Sequence, residues 1–113
     1  MASIKLKFRP STTDARRGVI FIEVIHNRVV RQLRTTYRVY PSEWDNENSD
    51  IILSACDETR KDTLIEILQG IKSDMACLYR IIHLLDSSRR PYTADQIVSL
   101  FKEILYSHLC RIL

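Results

Sequence analysis

Glycine and proline are scarce in this chain of 113 residues, two of the first and three of the second, which argues against a loop-rich, collagenous or low-complexity architecture. The three cysteines, Cys56, Cys77 and Cys110, are odd in number, lack C-x-x-C spacing and sit beside apolar residues. They read as reduced, mostly buried thiols, not as a disulfide framework or a zinc site. No apolar run approaches the ~20 residues of a membrane span. The opening MASIKLKFRP alternates charge with apolar residues where a signal peptide needs a continuous apolar stretch. The expectation is a soluble, cytoplasmic protein with no membrane partner.

Motifs of enzyme chemistry are missing as well. There is no G-x-x-x-x-G-K-[ST], no G-x-S-x-G, no H-E-x-x-H and no paired Cys/His ligand spacing. His26, His83 and His108 are far apart in the chain and read as surface or helix-face residues. Asp57, Glu58, Asp62 and Glu66 suit the opening turns of a helix, where the macrodipole favours negative charge, better than a catalytic carboxylate pair. No cofactor, metal or small-molecule substrate is expected.

Charge is plentiful but unevenly placed. Residues 1–44 hold nine Lys/Arg against three Asp/Glu, and residues 45–113 hold eight against eleven. The net +3 therefore hides a basic half and an acidic half. The basic half points to a polyanionic partner. The division expected is a basic antiparallel sheet module at 1–50 and a helical hairpin at 51–113, packed on the sheet.

Hydrophobic periodicity supports that division. In Ser3–Arg9, Ile4, Leu6 and Phe8 alternate with Lys5, Lys7 and Arg9, the period of two of a half-buried strand. Residues 10–18 are polar and turn-rich. Val19–His26 is an apolar, β-branched run broken only by Glu23, which suits the central strand. Asn27-Arg28 falls where a tight hairpin turn belongs, since Asn tolerates positive φ. Val29–Tyr40 makes a third strand with Val30, Gln32, Arg34, Thr36, Arg38 and Tyr40 outward. Arg31 then falls on the inward parity, which a bulge or an edge position would resolve.

Residues 45–50 read as a polar connector. From about Asp57 to Asp86 the period changes: Leu64, Leu68, Ile71, Met75, Leu78, Ile82 and Leu85 follow a 4-3 helical seam. Such a helix would reach ~45 Å, whereas six-residue strands span ~20 Å. It must overhang the sheet, or bend near Gly70, where glycine costs ~1 kcal/mol relative to alanine. Thr93 and Gln96 form a capping box opening a second helix, whose wide apolar face (Ile97, Leu100, Phe101, Ile104, Leu105, Leu109, Ile112) leaves surface to spare. The fold class is α+β: a three-stranded antiparallel sheet packed on a long helix, followed by a second C-terminal helix.

Lys5, Lys7 and Arg9 project from one strand face at ~7 Å intervals, close to the spacing of phosphates along a DNA strand. Gln32, Arg34 and Arg38 add groups from a neighbouring strand, arginine suited to guanine edges and glutamine to adenine. The competing reading is an ordinary solvated face. Base-stacking aromatics, common on RNA-binding sheets, are limited to Phe21 and Tyr40, and both also suit a core. Duplex DNA is favoured over RNA on that ground.

The stretches I-K-L-K-F-R-P-S (Ile4–Ser11), I-H-N-R with R-Q-L (Ile25–Leu33), P-S-E-W-D (Pro41–Asp45) and Y-T-A-D-x-I-V (Tyr92–Val98) carry a family likeness. Together they resemble the N-terminal arm-binding domain of phage-integrase-type tyrosine recombinases, the kind carried by conjugative transposons and related mobile elements. The resemblance implies a sheet whose exposed face docks on arm-type DNA sites, with other integrase subunits as further partners. It adds Arg28 and Arg31 to Lys5, Lys7, Arg9, Arg34 and Arg38 as contacts, and makes Trp44 a packing anchor. The family's catalytic domain is missing: His108-Leu109-Cys110-Arg111 satisfies H-x-x-R literally, but two residues then remain and no tyrosine follows. The chain is expected to be an excised piece or a truncated product that neither cleaves nor joins strands. The alternative is a helical protein-interaction or assembly module with a merely solvated basic sheet.

Overall fold

A computed structural model describes residues 2–11, 16–53 and 58–112, the side chains of 105–112 excepted. Three strands, β1 (Ser3–Arg9), β2 (Gly18–His26) and β3 (Val29–Val39), form an antiparallel sheet in that order. A 3₁₀ turn, Pro41–Glu43, leads into a small second ladder, β4 (Trp44–Asp45) with β5 (Asp50–Ile51). Residues 45–50, expected as a plain connector, thus close a miniature hairpin. Two helices follow, α1 (Glu58–Ser87) and α2 (Ala94–Ile112).

The turn between β2 and β3 places both Asn27 and Arg28 at positive φ, 51° and 66°. That is the pattern of a type I′ turn, whose twist matches the flanking strands. Arg28 stands where glycine usually does, at a cost of roughly 1 kcal/mol.

One face of the sheet is apolar. Ile4 and Leu6 of β1, Ile20, Ile22 and Val24 of β2, and Leu33 and Val39 of β3 all turn toward the helices. The expected α1 seam meets them: Leu64, Ile71, Leu78 and Ile82 are buried, with Leu68, Met75 and Leu85 packed beside them. The long helix is covered in two parts. Its first half packs with Ile20, Val39, Trp44 and Ile51, and its second half with the sheet and with Ile97 and Phe101 of α2. The P-S-E-W-D element supplies the first cover, for Trp44 is 7% exposed and its ring stacks on Phe8 at 5.8 Å. Trp44 is thus a packing anchor.

The start of α2 is capped as its sequence predicts. The Thr93 N–H donates to Gln96 Oε1 (2.8 Å), and the Gln96 N–H donates to Thr93 Oγ1 (3.1 Å).

Gly70 serves close approach. A Cβ there would lie 2.5 Å from the Tyr37 hydroxyl oxygen and 2.9 Å from its Cζ, so the helix backbone meets the tyrosine ring directly. The same hydroxyl donates to Asp74 Oδ2 at 2.8 Å. Burial and the neighbouring Asp74 push the phenol well above its usual range, and burial pushes the Asp74 carboxyl up. Gly70→Ala gains ~1 kcal/mol of helix propensity but dislodges a bond to a charged acceptor worth ~1.5–3 kcal/mol. A net loss of about 1 kcal/mol is expected in urea unfolding, opposite in sign to propensity alone.

Candidate functional site

The other face of the sheet is a polar grid. Register aligns Ser3–Ile25–Val30, Lys5–Glu23–Gln32, Lys7–Phe21–Arg34 and Arg9–Val19–Arg38 across the three strands. Cations therefore stand on both outer strands, and the middle strand offers Val19, Phe21 and Ile25 with one acid, Glu23. Among the described residues Lys5, Lys7, Arg34 and Arg38 enter no ion pair, with Glu23 or any other acid.

An irregularity in the ladder shapes the grid. Val19 pairs with Arg38 and Phe21 with Arg34, so Ile20 alone faces Thr35, Thr36 and Tyr37. The Thr35 hydroxyl donates to the Ile20 carbonyl and accepts from the Tyr37 N–H at 3.2 Å, satisfying groups the ladder leaves unpaired. Two additional residues keep the parity, which is why Arg34 and Arg38 remain on one face. Beside the irregularity lies a cavity of about 230 Å³, bordered by Arg9, Val19, Phe21, Gln32, Arg34, Thr35 and Arg38.

Arg9 is held in place. Its guanidinium lies 5.0 Å from the centre of the Phe21 ring and donates to Gln32 Oε1 at 3.0 Å. The one aromatic ring at the centre of the grid is thus already stacked by a cation. Tyr40, 41% exposed, continues the outward parity of β3, with Arg60 lying 5.2 Å from its ring centre.

Six of the eight candidate residues, Lys5, Lys7, Arg9, Gln32, Arg34 and Arg38, share this face. Arg28 sits exposed at the hairpin turn. Arg31 is separated from the rest. It stays on the inward parity near the start of β3, where its Nε donates to Asp95 Oδ1 of α2 at 2.7 Å. The partners are 48% and 64% exposed, a surface pair worth ~1 kcal/mol or less. No bulge is needed there; the helix terminus supplies the acid that the sequence position leaves unseen.

Other reactive groups lie apart from the grid. Cys77 is free, and partial burial pushes its thiol up, while Cys56 and the Cys110 side chain lie outside the described residues. His26 stacks on Tyr92 at 4.2 Å, His83 is exposed, and the His108 side chain lies outside the description. Among the described residues no three His, Cys, Asp or Glu come together as metal ligands, and no helix is long and apolar enough to cross a membrane.

Sequence reasoning missed the role of Glu43. Only 5% exposed, it accepts from Arg60 Nε (2.7 Å) and Nη2 (2.8 Å) and from the Tyr40 N–H (2.7 Å). The Arg60 hydrogen bond is the chief cause that holds its carboxyl below the usual range. This ties α1 to the end of β3, beside the grid. Comparison of the chain with family models, curated proteins and solved structures gave no match.

Proposed function

We propose that the polar face of the sheet docks on duplex DNA, and that the chain is the arm-site-binding part of a site-specific tyrosine recombinase, without the catalytic residues. The carrying observation is the pair of cation rows, Lys5 and Lys7 on β1 and Arg34 and Arg38 on β3, with no ion-pair partners among the described residues. Neighbouring strands lie ~4.8 Å apart, so the outer strands stand ~10 Å from each other across β2. A B-form major groove is ~12 Å wide. The two rows then meet the phosphates of opposite groove walls, and the middle strand faces base edges.

Affinity on this reading comes from the phosphates, which fix position without reading sequence. Phe21 suits a thymine methyl, Glu23 the amino group of cytosine, and Gln32 an adenine edge. Because Arg9 already covers Phe21, the face suits a duplex better than splayed bases needing a free ring.

The test is fluorescence anisotropy with a random-sequence duplex. Lys7→Ala and Arg34→Ala should each weaken binding roughly fivefold at about 0.15 M salt, one phosphate contact apiece. Arg31→Ala, on the helix side, should leave affinity nearly unchanged. If Arg31→Ala cost as much as the other two, the docking face would be the wrong one.

A second reading, helix-mediated assembly, draws on the apolar surface that remains on α1 and α2, where Tyr79, Leu84 and Ile104 are exposed. Sedimentation of the chain alone separates the two: a DNA-independent dimer with no affinity for duplex would favour assembly.

A further inference from the structure

A second basic feature lies at the end of the sheet, outside the candidate residues. Arg16 and Arg17 immediately precede β2, and Arg38 and Tyr40 belong to the end of β3 and the turn that follows. Gly18 pairs with Val39, which brings the two segments level. The entry into β2 is close: a Cβ on Gly18 would lie 2.5 Å from the Arg9 carbonyl oxygen and 2.5 Å from the Phe8 ring. Arg16, Arg17, Arg38 and Tyr40 line an open cavity of about 290 Å³. Arg38 borders both this cavity and the one on the polar face.

Three arginines around one hollow repel one another, and none can shed its proton. A counter-charge has to come from somewhere. Glu43 is near enough to feel Arg17, which helps to lower its carboxyl, but both of its oxygens are taken by Arg60 and the Tyr40 N–H. Among the described residues no acid forms an ion pair with Arg16, Arg17 or Arg38. Guanidinium forks match the tetrahedral oxygens of a phosphate, and a concave arrangement of them favours a single anion over a diffuse atmosphere.

We propose that this cavity seats one backbone phosphate of the duplex just beyond the groove-facing rows, with Arg16 and Arg17 sharing that one group and Arg38, at the rim, keeping the neighbouring groove-wall phosphate. The proposal rests on the DNA-docking reading and extends the contact past the end of the sheet. It makes the segment before β2 a clamp that fixes where along the backbone the sheet sits.

The experiment measures random-duplex affinity against salt for the full chain, for Arg16→Ala, Arg17→Ala and the double variant, and for Lys5→Ala as a reference on the polar face. The double variant should flatten the log–log slope by ~0.9, about one phosphate, and lower affinity roughly fivefold near 0.15 M salt. The single variants should each remove part of that, the two parts together making no more than one contact. Replacing both residues with lysine should restore most of the slope, because the charge returns, and near-ultraviolet dichroism of Trp44 reports that the fold is kept. If Lys5→Ala flattened the slope while the double variant left it unchanged, the cavity would hold no phosphate and the docking face would stand. A loss of ~0.9 from each single variant separately would mean two phosphates and would overturn the shared site. Failure of the unmodified chain to bind duplex at any salt would overturn the docking face and the cavity with it.

Discussion

Raising the salt from about 50 to about 200 mM is expected to cut affinity for random duplex roughly a hundredfold, on a log–log slope of ~3.6. The slope follows from Lys5, Lys7, Arg34 and Arg38 each neutralising one phosphate at ~0.9 apiece. Arg9 is left out of that sum because Phe21 and Gln32 already engage it; any contribution from Arg16 and Arg17 would steepen the slope. Lys5→Ala with Lys7→Ala should halve the slope to ~1.8 and shrink the loss over the same interval to about tenfold. These lysines project from an exposed face and carry no packing, so the double variant should unfold at the same urea concentration as the parent. Affinity that ignores salt would mean that the cation rows meet water and nothing else.

Glu43→Ala should be the most damaging single polar substitution, costing about 3 kcal/mol in urea unfolding. It removes both charge-assisted bonds to Arg60 and leaves the Tyr40 N–H without its acceptor, at the junction of β3, the 3₁₀ turn and α1. Domains of this size are stable by only ~5–15 kcal/mol, so the change takes a large share. Glu43→Gln keeps an acceptor for Tyr40 and should lose less. The pH dependence has a definite sign. The folded carboxyl titrates below its ordinary value, so its stabilisation is fully present above that value. It is lost as pH falls through the lowered folded value. Acid unfolding followed by Trp44 fluorescence should therefore show a component, missing in Glu43→Ala, that lies below the normal glutamate range.

The three strands and their polarity were legible because alternation is local. Ile4, Leu6 and Phe8 against Lys5, Lys7 and Arg9 needs no knowledge of the rest of the chain. The 4-3 seam of α1 and the Thr93–Gln96 cap were legible for the same reason. Arg31 was visible as an anomaly but not as an ion pair, since Asp95 lies 64 residues away and meets it only when α2 docks. The two-residue expansion of β3 left no glycine or proline to mark it; it falls in Thr35–Tyr37 and is held by a hydroxyl. Glu43 looked like one polar residue in a turn, because its partner Arg60 is supplied by the next helix. Gly70 could be read as a weak point in a helix, whereas its place against Tyr37 requires the packed sheet. Within the polar grid, periodicity found the flanking cations. It left Phe21 undecided between core and surface, because a central strand is apolar on both faces.

The expansion in β3 bears on how this strand can change length. Three residues against one is an even surplus, so everything from Arg38 onward keeps the facing it would have in a regular ribbon. Removing Thr36 alone would make the surplus odd, swinging Arg38 and Tyr40 toward the helices and presenting Val39 to solvent. Shortening by a pair would spare that reversal while closing the hollow beside Phe21. Insertions and deletions in this segment are therefore tolerable only in twos, a rule of arithmetic imposed by the pleat.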